Sequence, residues 1–480
     1  TPVGRAVRIK DSTTPTSQLV AFLDSQGNLY CQGYGFIGAD PDAFEADTTI
    51  TVGPPGYDYD CEYTDDEEPY DYEDPGSQAI QDAFTRATVL GITYPVIVVY
   101  PRFENGVPVE TVYNPFNFNG VDAVVQSVTP EDRSVVAATV IEDQALWTQP
   151  VVAFGGSETS RAALKGFTIR NGKPGIAGYG THATILNNVI SGNNNYTIGA
   201  YGGGILDCDG LIQYNVIEWN FADYGTGLAN CDGTVTNNII RYNDATEAGG
   251  GLYQCGGRIG QNRIYNKWAD QGAGLANCGA SSYVFNNLVF RNLGDTAGAG
   301  MYQCGGVIEF NTVYDNRAPT GAGLYDCDGT IHSNILWLNR VNGNESNPPA
   351  SDQITESSNP TYCCIQNWAS GGEGNINSNP LFVSVTFGAP WHEYLHLSAD
   401  SPCIDLGDFR GPRSASATLD RDHRDIDDQP TFVEIDGRGR VYDPDAWDQD
   451  LKLNPTLPYD IGADEYPTPA QFSFWWDNLE

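Results

Sequence analysis

An asparagine that recurs at a nearly constant interval between residues 185 and 340 constrains the fold of this chain more than any other feature. Successive copies are 23 to 27 residues apart. An aliphatic residue lies three positions before each copy, and another lies two positions after it. The copies are Asn188, Asn215, Asn238, Asn262, Asn287, Asn311 and Asn334. A fixed period of this length predicts a solenoid.

The residues within one period predict strands rather than helices, because the aliphatic positions are rich in Ile and Val and no helix-length pattern occurs. One period accommodates three short strands and three bends, which is one coil of a parallel β-helix. The two aliphatic residues around each asparagine are five positions apart, so both cannot face inward on one straight strand. We therefore expect the asparagine at a bend, in a left-handed conformation. A second asparagine follows five positions later in most repeats, with Asn266 one position early, and stacked copies should form amide ladders.

A further ladder combines glycine, an aliphatic residue and cysteine. Its cysteines are Cys208, Cys231, Cys255, Cys278, Cys304 and Cys327. Neighbouring coils would bring their Cα atoms close enough for vertical disulfides. Buried thiols that act as small apolar residues are the alternative. Cys31 and Cys61 flank an acidic stretch and are a further candidate pair.

The charge of the chain limits its partners. The 62 acidic and 24 basic residues give a net charge of −38. This charge argues against nucleic acid, anionic membranes and polyuronate substrates, unless divalent cations bridge the two anions. It favours cation binding, so Ca²⁺ is a candidate ligand, although the fold requires no cofactor. The sequence has no run of 18 apolar residues, which predicts no membrane span, and it starts at Thr1, as expected of a processed secreted chain.

Four regions are predicted along the chain. They are a β-rich extension at 1–76, a parallel β-helix at 77–390, a C-terminal cap at 391–466 and an aromatic tail at 467–480. The extension contains a hairpin at 20–30 and an acidic, tyrosine-rich loop at 57–74. The β-helix opens with a short capping helix at 77–87 and continues through apolar strands that include 135–141.

Several motifs, in this order, resemble the secreted right-handed parallel β-helix proteins of environmental bacteria, planctomycetes among them. The matching segments are the opening helix, residues 166–172, the glycine-cysteine and asparagine ladders, and residues 379–383, 401–405 and 460–466. The resemblance implies an exported protein, extracellular or at the cell surface, with a pectin-lyase-like fold and an ordered C-terminal cap. It implies no particular activity, because that family has no single established one.

Two groups of carboxylates are candidates for metal binding. The first group, rich in oxygen ligands but without the glycine and glutamate of an EF-hand, is Asp420, Asp422, Asp425 and Asp427. Asp209 and Asp232 form the second group, and we expect them to stack on adjacent coils. Turn chemistry, a calcium site and a glycosidase-like carboxylate pair are the alternatives for this second group.

Two further motifs have conflicting interpretations. Residues 392–396 match the HExxH pattern of zinc proteases, but Pro390 and Pro402 lie close by, and the resemblance to the β-helix family implies a strand here instead of the required helix. The aromatic tail must dock either on its own domain or on a neighbouring copy, and its candidate interface residues are Phe472, Phe474, Trp475 and Trp476. We find no lyase or polygalacturonase motif and assign no catalytic residue.

The sequence therefore leads to two hypotheses of function. The first is a non-enzymatic extracellular structural protein, part of a surface layer, matrix or filament, that self-associates through its terminal segments. The alternative is a carbohydrate-active enzyme or carbohydrate-binding protein, with an extracellular polysaccharide as its partner.

Overall fold

The computed structural model describes residues 49–53, 79–341, 347–386, 395–398 and 400–403, and three earlier strands by their backbone alone. Those strands are Arg5–Arg8, Leu19–Leu23 and Leu29–Cys31, which form an antiparallel sheet. The hairpin predicted at 20–30 is therefore confirmed. The acidic loop at 57–74, most of the predicted cap at 391–466 and the tail at 467–480 lie outside the described residues.

The chain divides into two compact units, Thr1–Thr246 and Glu247–Glu480. Both are built mainly from parallel β-strands, and the chain contains about ten β-helix turns in total. Each regular turn contributes one short strand to each of three parallel sheets, so the predicted all-β parallel β-helix is confirmed. Among the described residues, none of the helices has the length and apolarity needed to cross a bilayer.

In the first unit, the first sheet contains Thr49–Val52, Val96–Val99, Val124–Ser127, Ala163–Lys165, Thr184–Leu186, Leu211–Gln213 and Thr234–Thr236. The second sheet contains Thr111–Tyr113, Thr139–Glu142, Thr168–Arg170, Val189–Ser191, Val216–Glu218 and Ile239–Arg241. The third contains Phe116–Asn117, Val152–Ala153, Ile176–Thr181, Ile205–Cys208 and Leu228–Ala229. The other elements are helices Ala79–Val89 and Arg133–Ala138, hairpin strands Arg102–Glu104 and Val107–Val109, and strands Phe221–Tyr224 and Asp244–Ala248.

In the second unit, the first sheet contains Arg258–Gly260, Tyr283–Phe285, Val307–Glu309 and Thr330–His332. The second sheet contains Arg263–Tyr265, Leu288–Phe290, Thr312–Tyr314, Ile335–Trp337 and Cys364–Ile365. The third contains Leu252–Tyr253, Leu275–Ala276, Met301–Tyr302, Leu324–Tyr325 and Ile354–Thr355. The other elements are strands Trp268–Gln271 and Leu293–Ala297 and helix Ala350–Gln353.

Three corners, each with one left-handed residue, separate the strands of a regular coil. In one coil the left-handed residues are Asn187, Gly192 and Asp207, with φ of 58°, 68° and 54°. The residues directly after them are buried: Asn188 at the first corner, Asn193 at the second and Cys208 at the third. We expected the ladder asparagine itself to be left-handed, and this was wrong. The left-handed residue before the asparagine turns the chain. It also restarts the alternation of inward and outward side chains, so the residue directly after the corner points inward.

The ladder asparagines hydrogen-bond backbone groups that the corners remove from the strand pairing. Asn215 Nδ2 donates to the carbonyl oxygens of Ile185 and Gln213, at 2.8 and 2.9 Å. Asn215 Oδ1 accepts from the Asn188 N–H at 2.9 Å. All seven first-corner asparagines are at most 1% exposed. The predicted amide ladder is therefore present, and it satisfies buried polar groups in every coil.

Three details differ from the sequence-based expectations. Lys267, not Asn266, takes the second-corner ladder position of its coil: its N–H donates to Asn292 Oδ1 at 3.3 Å, and Asn266 is the left-handed residue before it. The predicted strand region 135–141 is a strand only from Thr139, because residues 135–138 belong to helix Arg133–Ala138, which begins where the Asp132 carboxylate accepts from the Ser134 N–H. The first sheet starts at Thr49–Val52, so the β-helix begins before residue 77.

The predicted capping helix is confirmed at Ala79–Val89. The ring of Phe84 packs against those of Phe116 and Phe118, with centroids 6.0 and 5.3 Å apart. Gln81 Oε1 accepts from the Asn117 N–H at 2.8 Å. The helix thus covers the first strand of the third sheet with apolar surface and occupies its backbone hydrogen-bonding groups.

A glutamine ends the second-corner ladder in the second unit. Gln353, the last residue of helix Ala350–Gln353, accepts from the Asn339 N–H at 3.1 Å and from Asn339 Nδ2 at 2.9 Å. A longer amide side chain therefore replaces the next asparagine where the regular period stops.

The nine described cysteines are free, buried thiols, which agrees with the second of the two interpretations of the ladder. Cys231 Sγ donates to the Ala229 carbonyl at 3.3 Å, as ladder asparagines do at the other corners. Burial raises the pKa of Cys208 well above its ordinary value, with Asp207 and Asp209 adding to the effect. The predicted pairing of Cys31 with Cys61 lies outside the residues whose side chains are described.

Candidate functional site

The second corner of the first unit carries two aromatic residues at strained positions, the exposed Trp219 and the half-buried Tyr242. Its left-handed residues are Gly192, Trp219 and Tyr242, with φ of 68°, 55° and 53°. Glycine adopts this conformation freely, whereas a bulky residue held there costs about 1–3 kcal/mol. Trp219 is 60% exposed, so packing does not offset that cost. A strained and exposed aromatic side chain is typical of a functional surface.

Two groups of aromatic rings lie around this corner, and we name the five rings together the aromatic strip. Its members are Trp147, Tyr196, Trp219, Phe221 and Tyr242. Trp219 stacks on Tyr242 with ring centroids 4.6 Å apart and 14° between the planes. Tyr196 contacts Trp147 on one side and Phe221 on the other, both at 5.5 Å. The strip therefore presents ring faces and edges to solvent over several coils.

An ion pair borders the strip on the outer face of the second sheet. The Glu218 carboxylate accepts from Arg241 Nε at 2.7 Å, and both side chains are largely buried. The Arg241 guanidinium also lies 5.6 Å from the centroid of the Tyr242 ring. The pKa of the nearby Arg133 is lowered by its burial and then by Arg241, while Glu218 acts in the opposite direction. The ion pair thus places hydrogen-bond donors and acceptors beside the strip, and the Glu218 carboxylate is bound to Arg241.

The predicted pair Asp209 and Asp232 lies on adjacent coils. The Asp232 N–H donates to Asp209 Oδ1 at 2.9 Å, and the Asp209 carbonyl lies 3.3 Å from His182 Nδ1. These are contacts of a turn. In the part of the chain that the structure describes, no three His, Cys, Asp or Glu side chains are grouped to hold a metal ion. Calcium binding by this pair stays a prediction.

The remaining sequence candidates are described only in part. The acidic candidates Asp420, Asp422, Asp425 and Asp427, and the tail residues Phe472, Phe474, Trp475 and Trp476, lie outside the described residues. At the HExxH pattern, the Leu395 N–H donates to the Ser384 carbonyl at 2.8 Å, and Leu397 forms an antiparallel bridge with Phe382. Leu395 itself is left-handed, with φ of 60°, so the described part of the pattern, residues 395 and 396, is a turn next to this bridge and not a helix.

The second unit contains a buried carboxylate that sequence reasoning missed. Glu309 is only 2% exposed and accepts a hydrogen bond from the Tyr283 hydroxyl. The Arg258 guanidinium lies 5.1 Å from the Tyr283 ring centroid and 4.9 Å from that of Phe285. Burial raises the pKa of Glu309, and Tyr283 and Arg258 offset part of the rise. The alternation of side chains along the strand Val307–Glu309 predicts that this glutamate points outward into solvent. Its burial is therefore due to side chains from neighbouring coils, such as Tyr283.

The aromatic strip was also missed, although its signal is visible in the sequence. Trp219 and Tyr242 each directly precede a second-corner asparagine, Asn220 or Asn243. That position becomes meaningful only when the left-handed corner is known. Chemically, the strip can stack on flat apolar rings and hydrogen-bond polar groups beside them.

Comparison with known proteins leaves the chain without an assigned relative. No family model, curated protein or solved structure matches it. The functional argument therefore depends on the fold and on the aromatic strip.

Proposed function

We propose that this chain is a non-enzymatic extracellular protein whose first unit binds polysaccharide through the aromatic strip. The observation that carries the proposal is the exposed, left-handed Trp219 stacked on Tyr242. Aromatic rings bury the apolar faces of sugar rings, and a few polar groups beside them orient the ligand. The proposal develops the carbohydrate-binding alternative derived from the sequence.

Binding without turnover is proposed because of how the neighbouring carboxylate is held. Glycoside hydrolysis requires a pair of carboxyl groups about 5–9.5 Å apart, one of them free to donate a proton. Glu218, beside the strip, is bound to Arg241 instead. Release of reducing sugar from any polysaccharide by the purified protein would contradict this part of the proposal.

The same proposal includes three further properties. They are an extracellular or cell-surface location, a right-handed pectin-lyase-like fold of the kind found in bacteria such as planctomycetes, and bound Ca²⁺. The order of the sequence motifs supports the first two, and the net charge of −38 supports cation binding. Calorimetric titration of the calcium-free protein with Ca²⁺ tests the third, and an absence of binding heat would remove it.

Two matched substitutions test the strip. Trp219 and Tyr179 are both 60% exposed and both left-handed, with φ of 55° and 53°, but Tyr179 lies in the third-sheet strand Ile176–Thr181. Trp219→Asn should abolish retention in affinity gels that contain neutral polysaccharides, whereas Tyr179→Asn should be retained like the original protein. Asparagine tolerates the left-handed backbone, so both variants should fold. Equal retention of the two variants would contradict the proposal.

Self-association as a structural protein is a second candidate, and exposed apolar residues near both ends of the described β-helix favour it. Val89 and Val107 are mostly exposed in the first unit, as are Val383 and Val385 in the second. Light scattering on the intact chain and on a chain ending at Pro467 tests the role predicted for the aromatic tail. Large species from the intact chain alone would support it, and monomers from both would exclude it.

A further inference from the structure

A glycine opens a space beside Trp219 in the aromatic strip. The Gly192 N–H donates to the Glu218 carbonyl and the Trp219 N–H to the Tyr242 carbonyl, so these corners lie on three successive coils. A Cβ placed on Gly192 would meet no atom within 4 Å. Successive coils are about 4.8 Å apart, which is close to the separation of stacked rings. The missing side chain at Gly192 thus leaves this level of the corner open, and we name the opening the Gly192 slot.

The geometry of the stack determines which face of Trp219 lines the slot. Its centroid is 4.6 Å from that of Tyr242, with 14° between the planes. Two nearly parallel rings at that distance overlap face to face, because rings lying edge to edge would collide. The stack therefore runs from coil to coil. Tyr242 covers one face of the Trp219 indole, and the other face points toward the level of Gly192.

Trp147 bounds the slot on the opposite side. It follows the strand Thr139–Glu142, which lies two coils before the strand that precedes Gly192. Its Nε1–H donates to the Gly192 carbonyl at 3.3 Å, so the indole reaches across to that corner. Its ring meets that of Tyr196 nearly at right angles. A ring stacked on Trp219 at the level of Gly192 would therefore lie close to the edge of the Trp147 indole.

We infer that the Gly192 slot binds one neutral pyranose unit, an inference that rests on the proposed function. The slot accommodates a single ring, so the linked units of a polysaccharide must project outward, which favours a terminal or branch sugar. The neighbouring charges are paired: Glu218 with Arg241, and Arg170 with Glu110 and Glu142. With Arg133, which interacts with Glu218 and Arg241, three arginines balance three glutamates. This balance favours a neutral ligand over an amino sugar, and the net charge of −38 disfavours uronic acids.

A glycine pair provides the test. Gly192 and Gly91 both have positive φ, 68° and 69°, and a Cβ at either would meet no atom within 4 Å. Gly192→Asn fills the slot with a side chain that tolerates the left-handed backbone, and Gly91→Asn is the matched control beyond helix Ala79–Val89. Binding is measured by calorimetry and tryptophan fluorescence with neutral gluco-, manno- and N-acetylated chito-oligosaccharides, with acidic oligogalacturonates and with cationic deacetylated chito-oligosaccharides.

The original protein and Gly91→Asn should bind the same neutral oligosaccharide, and Gly192→Asn should bind it about tenfold more weakly or worse, as expected for the loss of one stacked ring. Thermal unfolding should be unchanged. Equal binding by Gly192→Asn would overturn the slot while leaving the proposed function in place. Tighter binding of a charged oligosaccharide would overturn the ligand class. No binding of any saccharide by the original protein would overturn both proposals. If Gly192→Asn fails to fold, Trp219→Asn replaces it, and undiminished binding by that variant overturns the slot.

Discussion

Apart from Lys267, the buried ladder residues at the second corners of the two units are asparagines, whereas the left-handed residues before them differ between the units. In the first unit the left-handed residues include Trp219 and Tyr242, and in the second they include Arg291 and Asp315. Asp315 there lies 3.1 Å from the Arg340 guanidinium. The buried ladder residue must hydrogen-bond the same backbone groups in every coil, whereas the left-handed residue is constrained mainly in its backbone. The exposed corner position is therefore where this fold can vary its surface chemistry from one unit to the other.

The largest expected effect lies at the buried side of the corners and should be alike in both units. Asn215→Ala in the first unit and Asn311→Ala in the second each remove three donated hydrogen bonds and two accepted ones. Each substitution leaves buried polar groups without a partner and should lower the free energy of unfolding by about 3 kcal/mol or more. Denaturant titration followed by fluorescence measures it. A loss below about 1 kcal/mol in either unit would contradict the ladder's role.

The next effect concerns the buried Glu309 of the second unit and is dependent on pH. Because burial raises its pKa in the folded state, the folded protein holds this proton more tightly than the unfolded chain. Its contribution to stability is thus greatest below the ordinary pKa of 4.5 and decreases as pH rises toward the raised value. Glu309→Gln removes that decrease, at about 1.4 kcal/mol per pKa unit.

The measurement for Glu309 is the difference in free energy of unfolding between the original protein and Glu309→Gln, from pH 4 to pH 7. The glutamine variant should gain relative stability as pH rises. Glu373→Gln provides a control, because Glu373 is exposed. A difference that shrinks with rising pH would show that Tyr283 and Arg258 outweigh the burial.

A smaller effect separates stability from binding at the exposed corner positions. Trp219→Asn and Arg291→Asn should each change the free energy of unfolding by no more than about 1 kcal/mol, because asparagine relieves left-handed strain. Only Trp219→Asn should weaken saccharide binding. Differential scanning calorimetry and affinity electrophoresis on the same samples test both statements. Loss of binding in Arg291→Asn would show that the second unit contributes to the site.

The smallest expected effect concerns the buried cysteines, which should not react with an alkylating reagent in the native protein. The nine described thiols are buried out of reach of a reagent in solution, and burial also raises the pKa of Cys363 to about 12. Iodoacetamide should leave the peptides that carry them unlabelled in the native protein and label them after denaturation. Rapid native labelling of one of them, found by mass spectrometry, would locate a corner that opens.

Much of the fold follows from one-dimensional patterns, because a solenoid repeats its contacts at a fixed sequence interval. The asparagine period predicts the coils, their parallel strands and the amide ladder at Asn215 and its equivalents. Helical spacing predicts the capping helix, whose Ile80 and Phe84 are buried. The strand pattern failed at 135–138, where the N-cap Asp132 favours a helix over an equally apolar strand.

The sequence pattern thus determines which residues recur. Each coil must bury a layer of aliphatic side chains and provide hydrogen-bond partners for the same backbone groups at its corners. The pattern does not determine which residue of a corner turns left-handed, and so it misplaced Asn266 relative to Lys267. The burial of Glu309, the stack of Trp219 on Tyr242 and the open level at Gly192 depend on neighbours 23 or more residues away. Only the stacking of coils brings those side chains together, and for that reason the candidate site emerged from the tertiary structure.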